Sequence, residues 1–333
     1  MKKTIVFFFI LCVFILLFIN FRTPFMRDNA GPWSIGFGTS KEFPNKMHLQ
    51  KDKIYSLESL KKIQPKTQFL ADPFFLKVKD TFYIFFEHKL LNLKAEIGLL
   101  TSIDGINYNY RGTVLEEPFH LSYPQVFCYK KEYYMIPESK GANAVLLYKA
   151  NHFPHDWTIC DTLMNNVKFT DPSIYLSDSI NIMAVSDEKL NLILYHADSL
   201  FGNWKLHKKP ILISGSESRC GGRFFKDEKG LLLPVQNCIK GYGYGLSLYR
   251  LNFKNDNYTL KREKPFFLKR KENIKEFNAG MHHLDIQKID GSYYYVYDGH
   301  RLVDSNKHLN IRGALKMNLI DFKQWCIDVF TFD

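Results

Sequence analysis

The chain has 333 residues, 46% of them hydrophobic, which suits one large domain or two small ones with a substantial core and excludes an intrinsically disordered chain. A formal charge of +11 is moderate for this length and points to anionic surroundings such as lipid head groups, phosphorylated donors or acidic glycans. No basic stripe or recognised fingerprint accompanies the charge, so nucleic acid is excluded as a partner.

The first element is the uncharged run IVFFFILCVFILLFI, which follows MKKT and ends at Asn20 and Phe21 before Arg22. Its length approaches that of a bilayer span, and no A-x-A cleavage site follows. The expectation is an uncleaved signal anchor over residues 1–27 that crosses the membrane once through residues 5–21. Lys2 and Lys3 on one side balance Arg22 and Arg27 on the other. The very short amino-terminal tail then favours an inside amino terminus, with the remainder on the non-cytoplasmic side.

Cys12 lies in this run, and Cys128, Cys160, Cys220, Cys238 and Cys326 are scattered with no C-x-x-C pair. That excludes a familiar zinc spacing and argues against a disulfide scaffold.

Residues 28–333 are organised by a repeat. The segments FLADPFFLKVKDTFYIFFE, LSYPQVFCYKKEYYMIPE, FTDPSIYLSDSINIMAVS, SRCGGRFFKDEKGLLLPVQ and MHHLDIQKIDGSYYYVYD share one plan. Each has a strand-like run, a polar turn and a second run rich in aromatic or branched residues. Third runs follow in VLLYKANHFPHDW, LILYHADSLFGNW and IRGALKMNLIDFKQW, where Trp157, Trp204 and Trp325 stand nine residues after Tyr148, Tyr195 and Lys316. Antiparallel repeats of about fifty residues are the signature of a β-propeller. Five copies predict an all-β, five-bladed propeller with blades starting near 69, 120, 168, 218 and 279. The segment WSIGFGTS, residues 33–40, echoes EIGLLTS at 96–102 and is expected as an outer strand that helps close the ring against the last blade.

Simple hairpin geometry then assigns one address in every blade. Asp72 is set opposite Glu87, Tyr123 opposite Glu138, Asp171 opposite Ser186, Gly221 opposite Gln236 and His283 opposite Asp298. First strands line a propeller's channel, so these positions should ring one mouth of it and form a polar ligand site. Other readings stand beside this one. An Asp-Pro step also punctuates strands, although Asp72-Pro73 and Asp171-Pro172 recur at equivalent places. Glu87 and Glu138 could instead pair with Lys89 and Lys140. Of His282 and His283, only His283 has the channel address, the other being core or capping. Arg219 and Arg223 flank CGG, where a guanidinium suits a carboxylate or phosphate ligand. GYGYG, residues 241–245, reads as a flexible lead-in to a strand, not a dinucleotide fingerprint. No cofactor is required; Asp72, Asp171 and His283 could hold a divalent cation through water, but no spacing demands one.

The phrases ADPFF, LEEPFHLSYP, YYMIPES, TDPSIY and GYGYGL resemble the propeller-like amino-terminal domain of glucosamine inositolphosphorylceramide transferases and its stand-alone bacterial relatives, over about residues 30–325. In the plant proteins this domain precedes a glycosyltransferase domain that has no counterpart here. More remotely, the Asp-Pro blade starts are similar to five-bladed glycosidases of the arabinanase, xylosidase and invertase type. That resemblance implies a base or nucleophile at Asp72 and an orienting carboxylate at Asp171. The acid of those enzymes has no match at the blade-four address, where Glu217 is off register, which leaves Glu138 or Glu87 for the role. The expected function is a membrane-anchored carbohydrate-active enzyme, glycosyltransferase or glycoside hydrolase-like, in cell-surface glycan or glycolipid assembly. Its partner would be a glycan, a sugar phosphate or a lipid-linked sugar. Asp72, Glu138 and Asp171 would be catalytic, with Glu87, Tyr123, Arg219, Arg223, Gln236, His283 and Asp298 binding substrate. The alternatives are a glycan-binding module serving a partner glycosyltransferase, and a scaffold whose channel mouth is merely polar.

Overall fold

A computed structural model describes residues 2–28, 30–44, 47, 49–254, 257–303 and 307–330; residues 331–333, the end of the expected propeller domain, lie outside the described residues. The apolar run forms helix α1 (Lys2–Arg22). Among the described residues it is the one helix long and apolar enough to cross a membrane, and none of its span is buried in the protein. A one-turn helix, α2 (Leu57–Lys61), follows the amino-terminal strands, its first turn capped by Ser56, whose hydroxyl accepts from Ser59 N.

Most of the rest is a five-bladed β-propeller, with Met26–Asp28 and Lys307–Leu309 paired in a separate two-stranded sheet. Blade one comprises strands Thr67–Val78, Thr81–Leu90, Ala95–Ser102 and Asn109–Leu115, and blade two Ser122–Tyr129, Glu132–Glu138, Ala144–His152 and His155–Asn165. Blade three runs through Thr170–Leu176, Asn181–Ser186, Asn191–His196 and Lys205–Ser214. In blade four the inner strand is split into Arg219–Cys220 and Phe225–Asp227, followed by Gly230–Asn237, Gly245–Lys254 and Asn257–Lys269. Each blade is pressed between two neighbours, which explains why Ala95–Ser102 is buried at every position while the rim strand Asn109–Leu115 alternates between exposed and half-buried up to its buried last residue, Leu115.

Blade five is closed by the amino-terminal segment. Its order is Leu284–Ile289, Ser292–His300, Trp33–Ser40 and Ile54–Tyr55, with Trp33 opposite His300 and Ser40 opposite Tyr293. The expected third run at 311–325 is instead helix α3 (Ile311–Phe330). The physical reason is its composition: Ala, Leu, Lys, Met and Gln favour a helix, and Ile311, Leu315, Leu319 and Phe322 repeat at helical spacing. Trp325 therefore matches Trp157 and Trp204 in spacing alone.

The first strands carry a shared distortion. In blade one Ala71 pairs with Glu87 and Phe74 with Phe85, in blade two Ser122 pairs with Glu138 and Gln125 with Ile136, and in blade three Thr170 pairs with Ser186 and Ser173 with Ala184. Each therefore inserts one extra residue, a β-bulge. The bulge falls on Asp72, Tyr123 and Asp171, each before a proline and each at positive φ of 50°, 50° and 51°. Non-glycine residues in that region carry strain of order 1–3 kcal/mol that the surrounding ring must hold in place. The expected pairings in these blades are thus displaced by one residue. In blade four the displacement is two, because Arg219 pairs with Gln236 and Phe225 with Leu232. Gly221 does not hold the address; a side chain there or at Gly222 would collide with blade five, at His282 O and Leu284 O. Blade five follows the expected register, with Asp298 N donating to His283 O.

Below the mouth, Arg223 fills the channel. It pairs with the buried Asp285 and donates to Phe75 O and Val126 O, linking blades one, two, four and five. Arg223→Ala would leave the Asp285 charge buried and unpaired. The expected loss is about 3–5 kcal/mol in urea unfolding, with part of it regained in the Arg223→Ala/Asp285→Ala double variant.

Candidate functional site at the channel mouth

The blade-one bulge carries Asp72 into a cavity of about 530 Å³, also lined by Glu87, Glu138, Arg219, His120, His282, Trp33 and Tyr242 among others. A second cavity of about 420 Å³, lined by Phe43, Asp227 and Lys264, holds none of the ring residues.

Asp298 anchors the mouth on the blade-five side. Its carboxylate accepts from Asp72 N at 3.0 Å, His283 N at 3.0 Å, His282 N at 3.2 Å and His282 Nδ1 at 2.8 Å. Burial alone would raise its pKa, but His282 and these donors outweigh it and hold Asp298 below the usual carboxylate range. With Nδ1 turned to Asp298, His282 Nε2 meets the Tyr242 hydroxyl at 2.9 Å and lies 3.8 Å from Asp72 Oδ1. Trp33 stacks on the His282 ring at 4.0 Å.

Asp72 has no comparable set of donors; among the described residues its carboxylate is met by the two histidines at 3.7–3.8 Å. Burial raises its pKa well above the ordinary value, reinforced by Glu87, Asp298 and Asp171 and opposed by Arg219. Across the mouth, Glu138 Oε2 accepts from Asp171 N at 3.3 Å. Burial and then the Asp171 charge push Glu138 up to about 8, against Arg219. Asp171 itself is bound by Arg219 Nε at 2.7 Å and Gln236 Nε2 at 3.1 Å. Arg219 is held charged by Asp171 despite burial that would lower it, and its guanidinium lies over the Tyr242 ring at 5.3 Å. Glu87 meets His120 Nε2 at 3.1 Å and raises its pKa.

Of the residues expected at the mouth, Asp72, Glu87, Glu138 and Arg219 line one cavity, with Asp171, Gln236 and Asp298 directly behind them. Tyr123 lies deeper, its hydroxyl bonded to Gly222 and Ser173. Arg223 is committed to Asp285, and His283 is fully buried against Phe74 and Tyr123, where burial pushes it down to about 3. The two histidines thus exchange their expected roles: His282 lines the cavity and His283 is its neutral floor. Lys140 pairs with Glu188, not Glu138. Tyr242, from GYGYG, and His120 and Trp33 were not among the expected site residues. The signal for His120 and Trp33 was an aromatic or histidine at an expected blade start or closing strand, and for Tyr242 an aromatic in a glycine-rich lead-in to a strand. For a cation, the convergent group is Asp72, His282 and Asp298, whose ligand atoms lie within 4.8 Å of one another, and not Asp72, Asp171 and His283. Asp298 and His282 Nδ1 are already committed to each other.

The family described as "Glucosamine inositolphosphorylceramide transferase 1, N-terminal" matches residues 50–300. The chain belongs to this family. It is 34% identical over 254 residues to glucosamine inositolphosphorylceramide transferase 1 of Oryza sativa subsp. japonica, covering 71% of this chain and 34% of that protein. The Arabidopsis thaliana protein of the same name is 30% identical over 309 residues, covering 84% of this chain and 40% of that protein. The chain therefore spans about a third of the length of the rice protein it matches. Among solved structures, an exo-1,5-alpha-L-arabinanase from a bovine ruminal metagenomic library superposes with a TM-score of 0.52 at 16% identity, over 73% of this chain and 92% of that one. That likeness concerns the five-bladed fold.

A carboxyl whose folded pKa is raised stabilises the fold fully below its unfolded pKa, and that stability is lost as pH rises through the folded pKa. For Glu138 the window runs from 4.5 to about 8. Thermal unfolding should therefore show the wild type losing stability relative to Glu138→Gln across that window, by up to about 1.4 kcal/mol per pH unit for one proton.

Proposed function

We propose that this chain is a membrane-anchored carbohydrate-active protein that transfers a glycosyl unit at the channel mouth, in the assembly of a glycolipid or cell-surface glycan. The observation that carries the reading is that two carboxyl groups, Asp72 and Glu138, line one cavity together with the Arg219 guanidinium of blade four. In this reading Asp72 takes the proton of the acceptor hydroxyl as its oxygen bonds the anomeric carbon. Glu138, still protonated near neutrality, gives its proton to the leaving oxygen as the old glycosidic bond breaks. Asp171 orients Arg219, which binds an anionic group of donor or acceptor. The name of the relatives supports a glycolipid acceptor. α1 anchors the protein, with the propeller on the non-cytoplasmic side; Arg22, at its exit, is neutralised by Asp321, while Lys2 and Lys3 remain at its start.

A second reading is favoured by the relatives' length, more than half of which lies outside the match. Here the mouth recognises a glycan on behalf of a partner glycosyltransferase.

The test incubates the full chain in detergent with nucleotide- and lipid-linked sugars and short glycans, with product detected by mass. Asp72→Asn should lose turnover by about 100-fold or more, the scale of one acid–base group, while retaining ligand binding. The wild-type rate should fall as Glu138 loses its proton near pH 8. Equal glycan binding by both proteins, with product from neither, would favour the recognition reading.

A further inference from the structure

We propose that α3 is an interfacial membrane helix, and that α1 and α3 together seat the channel mouth on the bilayer so that its ligand is a glycosyl unit carried by a membrane lipid. This rests on α1 as a membrane span and deepens the proposed site.

One side of α3 is committed to the protein. Asp321 accepts from Arg22 Nη2 at 2.6 Å and from Ser216 N at 2.7 Å, and Gln324 accepts from Ser214 N at 3.0 Å. Asn318 accepts from Arg22 Nη1 at 2.7 Å and donates to Thr23 Oγ1 at 3.0 Å. Ala314 is wholly buried, and Gly215 has no room for a Cβ because Asp321 Oδ1 would lie 2.0 Å from it. This is a built joint between helix, propeller and anchor.

The remaining side is apolar and bare. Leu315, Leu319, Phe322, Trp325, Val329 and Phe330 are all exposed, Phe330 by 79%. At 100° per residue they share one arc of α3, and Asn318, the residue at the foot of α1, lies within it on the Trp325 side. Arg312, Lys316 and Lys323 flank that arc and are also exposed. An apolar stripe with a tryptophan and a basic margin is the composition of a helix lying in the lipid head-group region. Its continuity with the foot of a bilayer-length helix selects lipid as its occupant.

The same joint lies beside the mouth. Ser216, bonded to Asp321, is three residues before Arg219, a reach of at most about 11 Å. Lys240 Nζ donates to Phe21 O at 2.8 Å, two residues before Tyr242. Ala30 to Trp33, just past the anchor, line the cavity. Membrane surface and cavity are therefore on one side of the propeller.

The full chain in liposomes provides its own probe, because Trp33, Trp157 and Trp204 are buried and Trp325 is exposed by 56%. Lipids brominated near the head group should remove most of the Trp325 emission, and Trp325→Phe should abolish that quenching. In the Trp325→Phe background, a head-group nitroxide lipid should quench Val303→Trp at the cavity rim and spare Ile103→Trp in the loop at the opposite end of blade one. Co-flotation with the vesicles reports α1 separately. Trp325 unquenched in floating protein overturns the proposal, including the case where Phe322→Cys cross-links two copies instead. Quenching of Ile103→Trp in place of Val303→Trp overturns the orientation of the mouth. None of these readouts uses transfer activity, so failure of the catalytic reading leaves them intact.

Discussion

The inner strand of each blade presents backbone N–H and C=O groups to a channel in which no further strand can pair with them. Buried backbone groups without partners are costly, and the protein answers with side chains. Gln125 pairs through both atoms of its amide with the backbone of Ile174, Asp285 accepts from Phe75 N, and Arg223 donates to Phe75 O and Val126 O. At the mouth the same logic puts the Asp298 and Glu138 carboxylates on the bulge N–H groups of Asp72 and Asp171 in the next blade. Polar residues in an apolar ring are thus first of all the means by which separate blades are joined.

The site grows out of that joinery. Asp298, Asp72 and Glu138 are chemically similar acids in one channel, yet Asp298 is held low and the other two are pushed up. The difference is supply: Asp298 receives three backbone donors and a histidine, whereas Asp72 faces other carboxylates with Arg219 as the opposing cation. Neighbouring acids of one channel thus differ in proton affinity according to how many donors and like charges converge on each. The bulges matter for the same reason. By adding one residue before each proline they aim Asp72 and Asp171 across the mouth without disturbing the hairpins below.

Ring closure and the amino-terminal helix are also coupled. The strand Trp33–Ser40 completes blade five, and it begins eleven residues after α1 ends. Trp33 itself reaches the cavity and stacks on His282. Closing strand, cavity and the end of α1 therefore occupy one short stretch of chain, which Arg22 of α1 ties to Asn318 and Asp321 of α3.

Much of this was legible in the sequence. Period-two runs, polar turns and a repeat of about fifty residues determine five antiparallel blades, because strand alternation and turn chemistry are local properties. The echo of WSIGFGTS in EIGLLTS located the closing strand, and Asp-Pro marked the mouth. What sequence spacing could not carry was register at the bulges, since an inserted residue is a compromise between blades and not a preference of one strand. That is why Arg219 and not Gly221 holds the blade-four position. The nine-residue tryptophan spacing misled at 311–325, where composition and period favoured the helix. Nor could sequence assign proton affinities, which depend on how many donors and like charges converge from other blades. The chain's local patterns determined the blades and their number; only packing between blades decided which side chains meet and which of them keep a proton.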